Sequence, residues 1–89
     1  MPVLSIFDGI VIRMFYEGAV QHHAPHFHAA YGEFEATIRI PDGKVLAGSL
    51  PRRKMKLVQA WLILRENDVS EAWEACRNSE APRKIEPIR

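Results

Sequence analysis

The residues best suited to chemistry lie in one short stretch, His22-His23-Ala24-Pro25-His26-Phe27-His28, which holds all four histidines of the 89-residue chain. Imidazole is the one side chain whose ordinary pKa lies near neutrality, so it can pass a proton or ligate a metal. His26 and His28 are two apart, and on an extended strand such residues point the same way. Pro25 lacks an N–H and holds its predecessor extended, so it marks the entry to a strand over residues 26–31. Gly32-Glu33 reads as the turn into a second strand, where Phe34, Ala36, Ile38 and Ile40 alternate with Glu35, Thr37 and Arg39. That turn sets the register. Tyr31 faces Phe34, Ala29 faces Ala36 and Phe27 faces Ile38 towards the core. On the other face His28 meets Thr37, His26 meets Arg39, and Glu35 lies diagonal to His28.

Such a face supports several chemistries. His26 and His28, with Arg39 stabilising developing charge, are the candidates for acid–base catalysis of the kind that cleaves phosphodiesters without metal. A metal site needs three or four ligands within about 2.0–2.2 Å of the ion. His26 and His28 offer two, and His23, His22 or Glu35 a third, with zinc the ion such a set would take. Arg39 beside His26 is a permanent cation that disfavours a dication, so no metal or cofactor is expected. The set His23, His26, His28, Glu35 and Arg39 suits a phosphate better. The plain alternative is a solvated strand face whose histidines hydrogen-bond nearby backbone or Glu35.

A second feature is the basic run Arg52, Arg53, Lys54 and Lys56 at the start of a helix. Cations there oppose the helix dipole, a small local cost that hints at phosphate contact by Arg52, Arg53 and Lys56. Arg83, Lys84 and Arg89 would extend this patch if the tail folds back over it.

The elements that hold these residues follow from pattern. Residues 3–7 and 10–16 read as strands joined by the tight turn Asp8-Gly9. Pro41-Asp42-Gly43 is a further turn, and residues 44–48 are a last strand at an edge. Pro51 suits the first turn of a helix over residues 52–66, whose stripe is Leu57, Trp61 and Leu64 widened by Val58 and Leu62. Lys54 and Arg65 lie near that stripe, so their stems should pack and their heads reach water. Asp68-Val69-Ser70-Glu71 has the spacing of a capping box, which predicts a second helix from Asp68 to about Arg77 that buries Val69, Ala72, Trp73 and Cys76. After Asn78 the tail reads as extended or irregular. The sum is class α+β: an antiparallel β-meander of four to five strands followed by two α-helices packed on one face.

Eighty-nine residues suit a single domain, residues 1–89. A 47% apolar and 26% charged composition is that of an ordinary globular protein. The net charge of +1 excludes a histone-like polyelectrolyte, although protonating every histidine would raise it to +5. Cys76 is the only cysteine, so no intramolecular disulfide forms. The apolar runs are far short of the roughly 20 residues of a membrane span, and no signal peptide is evident, so a cytoplasmic setting is expected. Gly-rich phosphate loops, nucleophile elbows and metalloprotease helix motifs do not occur.

Phe7-Asp8-Gly9-Ile10-Val11-Ile12-Arg13-Met14, His23-Ala24-Pro25-His26-Phe27-His28, Tyr31-Gly32-Glu33, Leu50-Pro51-Arg52-Arg53, Trp61 and Ile85-Glu86-Pro87-Ile88 together resemble a small bacterial family, domain of unknown function 4160. Ala24 and Ala29 stand where that family more often has Pro and Val. The family name implies no activity. Its members resemble operon companions of another small family to which a DNA-binding role is ascribed. The resemblance thus implies a toxin–antitoxin-like or regulatory setting, with nucleic acid or a small protein from the same operon as partner. The leading expectation is a nucleic-acid- or phosphate-binding module. The alternatives are a metal or acid–base site on His23, His26 and His28, and a protein–protein interaction module using the exposed strand face and edge.

Overall fold

The computed structural model describes residues 2–16 and 24–88. Five strands, β1 (Val3–Phe7), β2 (Ile10–Arg13), β3 (His26–Tyr31), β4 (Phe34–Arg39) and β5 (Val45–Ser49), precede two helices, α1 (Arg52–Leu64) and α2 (Glu66–Arg77). The strands form one antiparallel sheet in the order β1-β2-β3-β4-β5. This is the expected α+β meander followed by helices.

The turns hold because their residues tolerate left-handed backbone. Asp8 and Gly9 take φ of 53° and 79° between β1 and β2, and Gly32 takes 58° between β3 and β4. Gly48 is the most constrained glycine. Its φ is +73°, and a Cβ there would stand 2.1 Å from the Glu35 carbonyl oxygen, so only glycine lets β5 lie this close to β4. Strand β2 ends at Arg13, three residues earlier than the apolar run implies, and residues 14–16 are irregular.

Alternation then decides what is buried. Ile10, Ile12, Phe27, Ala29, Ala36 and Ile38 turn to one face, and α1 lays Val58, Trp61 and Leu62 against it. The Trp61 ring packs at 5.7 Å from Phe7 and 5.6 Å from Phe27. Helix α2 adds Val69, Ala72, Trp73 and Cys76 to the same core. Burial raises the pKa of the Cys76 thiol.

Two local expectations are corrected. Asp68 is not the N-cap of α2, because that helix begins at Glu66, with only Arg65 between it and the end of α1, and no side chain caps it. Arg65 alone breaks the helix (φ −116°, ψ 25°). Glu66 and Asp68 then lie in the first turn, where carboxylates favour the helix dipole. The Arg65 head does not simply reach water either, since its Nη2 donates to the Pro87 carbonyl at 3.1 Å.

The irregular tail folds back over α1 and β1. Trp61 Nε1 donates to the Glu86 carbonyl at 2.8 Å, and the Ile85 N–H donates to the Leu4 carbonyl at 2.7 Å. Among the described residues no helix is long and apolar enough to cross a membrane. Truncating Trp61 to alanine would leave a cavity between sheet, helix and tail. We expect Trp61→Ala to cost about 3–5 kcal/mol in urea unfolding, and a near-neutral result would contradict this packing.

Candidate functional site

The register of the histidine hairpin is the expected one: His26 pairs with Arg39, Phe27 with Ile38, His28 with Thr37, Ala29 with Ala36 and Tyr31 with Phe34. The surface it creates differs from expectation. His26 is fully buried rather than exposed. Its ring lies 5.2 Å from Trp73 of α2 and 5.4 Å, edge on, from His28. Its Nδ1 donates to the Ala24 carbonyl at 2.8 Å, which fixes the proton on that nitrogen. His28 is only 15% exposed because Phe15 stacks flat on it, with centroids 4.6 Å apart and planes within 5°. Thr37 Oγ1 is hydrogen-bonded to His28 Nδ1 at 3.3 Å, and a Glu35 carboxylate oxygen is 3.9 Å from the same nitrogen. Glu35 is therefore beside His28 as the diagonal register requires. His22 and His23 lie outside the described residues.

Arg39 does not serve its histidine neighbour. Its guanidinium grips Asp42 with both arms, Nε to Oδ1 at 3.0 Å and Nη2 to Oδ2, across the turn that follows β4. The Lys44 N–H also donates to Asp42. Hydrogen bonding to Arg39 holds the Asp42 carboxyl down at about 2. The positive charge that was expected to attract phosphate and repel a metal at His26 is thus neutralised one turn away. Among the described residues no group of three His, Cys, Asp or Glu side chains could hold a metal ion.

The basic start of α1 lies across the sheet from His28. Trp61 of α1 packs on Phe27, and His28, the next residue, points to the opposite face. Lys54 is tied down there: Nζ donates to the Asp8 carboxylate at 2.8 Å and sits 4.7 Å from the Tyr31 ring centroid. The pair lowers the pKa of Asp8 and raises that of Lys54. Arg52, Arg53 and Lys56 are exposed, and among the described residues none of their side chains makes a hydrogen bond or ion pair. Arg83, expected to extend this patch, instead lies 3.6 Å from Glu71 of α2. Arg89 is outside the described residues.

The site residues therefore form two groups, His26, His28 and Glu35 on one side and Arg52, Arg53 and Lys56 on the other. Sequence reasoning missed the stacking of Phe15, the lid that Trp73 places on His26, and the capture of Arg39 by Asp42. Only the last had a signal, an acid three residues beyond a base across a turn.

The model of one protein family, described as Domain of unknown function (DUF4160), matches residues 9–74. The chain belongs to that family. The matched stretch runs from the β1–β2 turn into α2 and includes both groups of site residues. No curated protein and no solved structure matched the chain.

The Arg39–Asp42 clamp gives a pH prediction with a definite sign. The folded pKa of Asp42 is depressed, so its stabilising contribution is fully present above the unfolded value near 3.8 and is lost as pH falls through about 2. An NMR titration of the carboxyl carbons should show a midpoint near 2 for Asp42, returning towards 3.8 in Arg39→Gln. An unmoved midpoint in that variant would mean Arg39 is not the cause.

Proposed function

We propose that the protein is an interaction module that pairs, through the open edge of its sheet, with an extended segment of a protein partner. The observation that carries this reading is the unlike treatment of the two sheet edges. Beside β1, the tail supplies a backbone N–H to the Leu4 carbonyl. At the other end of the sheet β5, Val-Leu-Ala-Gly-Ser, is exposed or half-exposed throughout, and no described strand pairs with its outer side. Edge strands are ordinarily blunted by charge, proline or cover. Strand β5 contains neither charge nor proline, and its one irregularity is the extra residue Leu46 between the Thr37–Ala47 and Ile38–Val45 pairs. A row of unpaired backbone donors and acceptors is the means by which strand-adding domains capture peptides.

A peptide-display selection on the immobilised full chain tests this. Selected peptides should slow hydrogen exchange at the amides of Val45–Ser49. Binders that protect only residues elsewhere would remove the edge reading.

A second reading has its own support, the exposure of Arg52, Arg53 and Lys56 without described ion-pair partners. These cations suit nucleic acid or another phosphate-bearing polyanion, which would place the protein in a regulatory or toxin–antitoxin-like role. Three phosphate contacts would give a log–log salt slope of about −2 to −3. Replacing Arg52 and Arg53 together by alanine should flatten that slope by about 2. Affinity for a short oligonucleotide that does not change with salt would exclude this role.

A further inference from the structure

We infer that the segment taken up by the β5 edge is acidic, with glutamate or aspartate at the alternate positions that face α1. The inference rests on the edge reading above and adds the chemistry of the partner. It begins from one hydrogen bond. Gln59 Nε2 donates to the Gly43 carbonyl at 3.0 Å, and a Cβ on Gly43 would touch Gln59 and Leu62. Gly43 lies just ahead of β5, so this bond sets the Gln59 side of α1 against the start of that strand.

Helical spacing then places Arg52, Lys56 and Ile63 on the same side as Gln59, since residues three, four and seven apart share a face. All three are exposed, Ile63 at 73%. Lys44 is exposed at the start of the strand. The open edge is therefore bordered by cations at both ends and from above, with Glu35 on the far side of the sheet. An added strand would lie about 4.8 Å beyond β5, with every second side chain turned towards α1. Acidic residues there would meet Arg52 and Lys56, while the intervening residues would face away from the helix.

The same charges select against a second copy of this chain as occupant. Two β5 edges pairing about a two-fold axis would bring the two α1 helices side by side, each turning Arg52 and Lys56 towards the other. Like charges so placed are repulsive, and Lys44 of each copy would add to this by approaching the basic end of its partner.

The test uses the full chain and a short synthetic peptide alternating glutamate and valine, followed by NMR amide shifts and hydrogen exchange. A lysine–valine peptide and a single-stranded oligonucleotide serve as controls. The acidic peptide should perturb and protect Val45–Ser49. Its affinity should fall about tenfold or more in Arg52→Glu/Lys56→Glu, a surface variant whose melting should match the parent. Protection of β5 by both peptides alike, indifferent to that variant, would overturn the acidic partner while leaving the edge reading intact. No response at β5 from either peptide would overturn both. Oligonucleotide shifts at Arg52, Arg53 and Lys56 with no peptide response would favour the polyanion reading instead. A concentration-dependent dimer that protects β5 would show that a second copy occupies the edge, and would also overturn the proposal.

Discussion

The burial of Trp61 is the constraint on which the rest of the structure depends. Its ring packs against two aromatic residues of the sheet, so α1 must lie along the face that carries Phe7 and Phe27. A buried indole N–H needs an acceptor, and the Glu86 carbonyl supplies it. That bond draws the tail against α1, which brings Ile85 to Leu4 and occupies the Leu4 carbonyl of β1. One satisfied donor thus helps to decide which edge strand the tail meets. Among the described residues no strand pairs with the outer side of β5, from which the chain continues into α1 through Leu50 and Pro51.

Most of the fold was legible because local signals agreed with the tertiary arrangement. Asp8-Gly9, Gly32 and Pro41-Asp42-Gly43 all mark turns, and period-two alternation between them sets both pairing and face. The misreadings fall where two local signals compete. Asp68 and Glu71 have capping-box spacing, yet α1 continues to Leu64 and α2 restarts at Glu66, so the box becomes interior helix. The apolar residues 14–16 look like continued strand but serve other ends: Met14 enters the core, Phe15 covers His28 and Tyr16 lies 5.7 Å from Trp73.

The candidate site was legible in register but not in exposure. Alternation placed His26, His28, Thr37, Glu35 and Arg39 on one face, and the pairing agrees residue by residue. Periodicity says which way a side chain points; it does not say what comes to cover it. Trp73 belongs to the last helix, 47 positions beyond His26, so no local pattern could announce that contact. Arg39 shows a different limit. A guanidinium takes a carboxylate that matches its planar fork, and here it takes Asp42 at the turn. The histidine face is consequently less polar and less open than its composition implies.

An uncharged open edge invites self-association, and three features bear on why this chain need not aggregate through it. Gly48 lets β5 press against β4, so the strand is held within the sheet rather than splayed from it. The extra residue Leu46 interrupts the regular ladder, which shortens the stretch available to another strand. On the proposed reading Arg52 and Lys56 stand beside the edge instead of on it, so they would leave the backbone groups accessible while setting a charge condition on what approaches. Charges within β5 would repel or obstruct many partners, whereas charges on the adjoining helix discriminate between an identical positive neighbour and an acidic one. Cations so placed, one layer back from a strand whose outer side no described strand pairs with, would keep the edge available for a particular kind of partner.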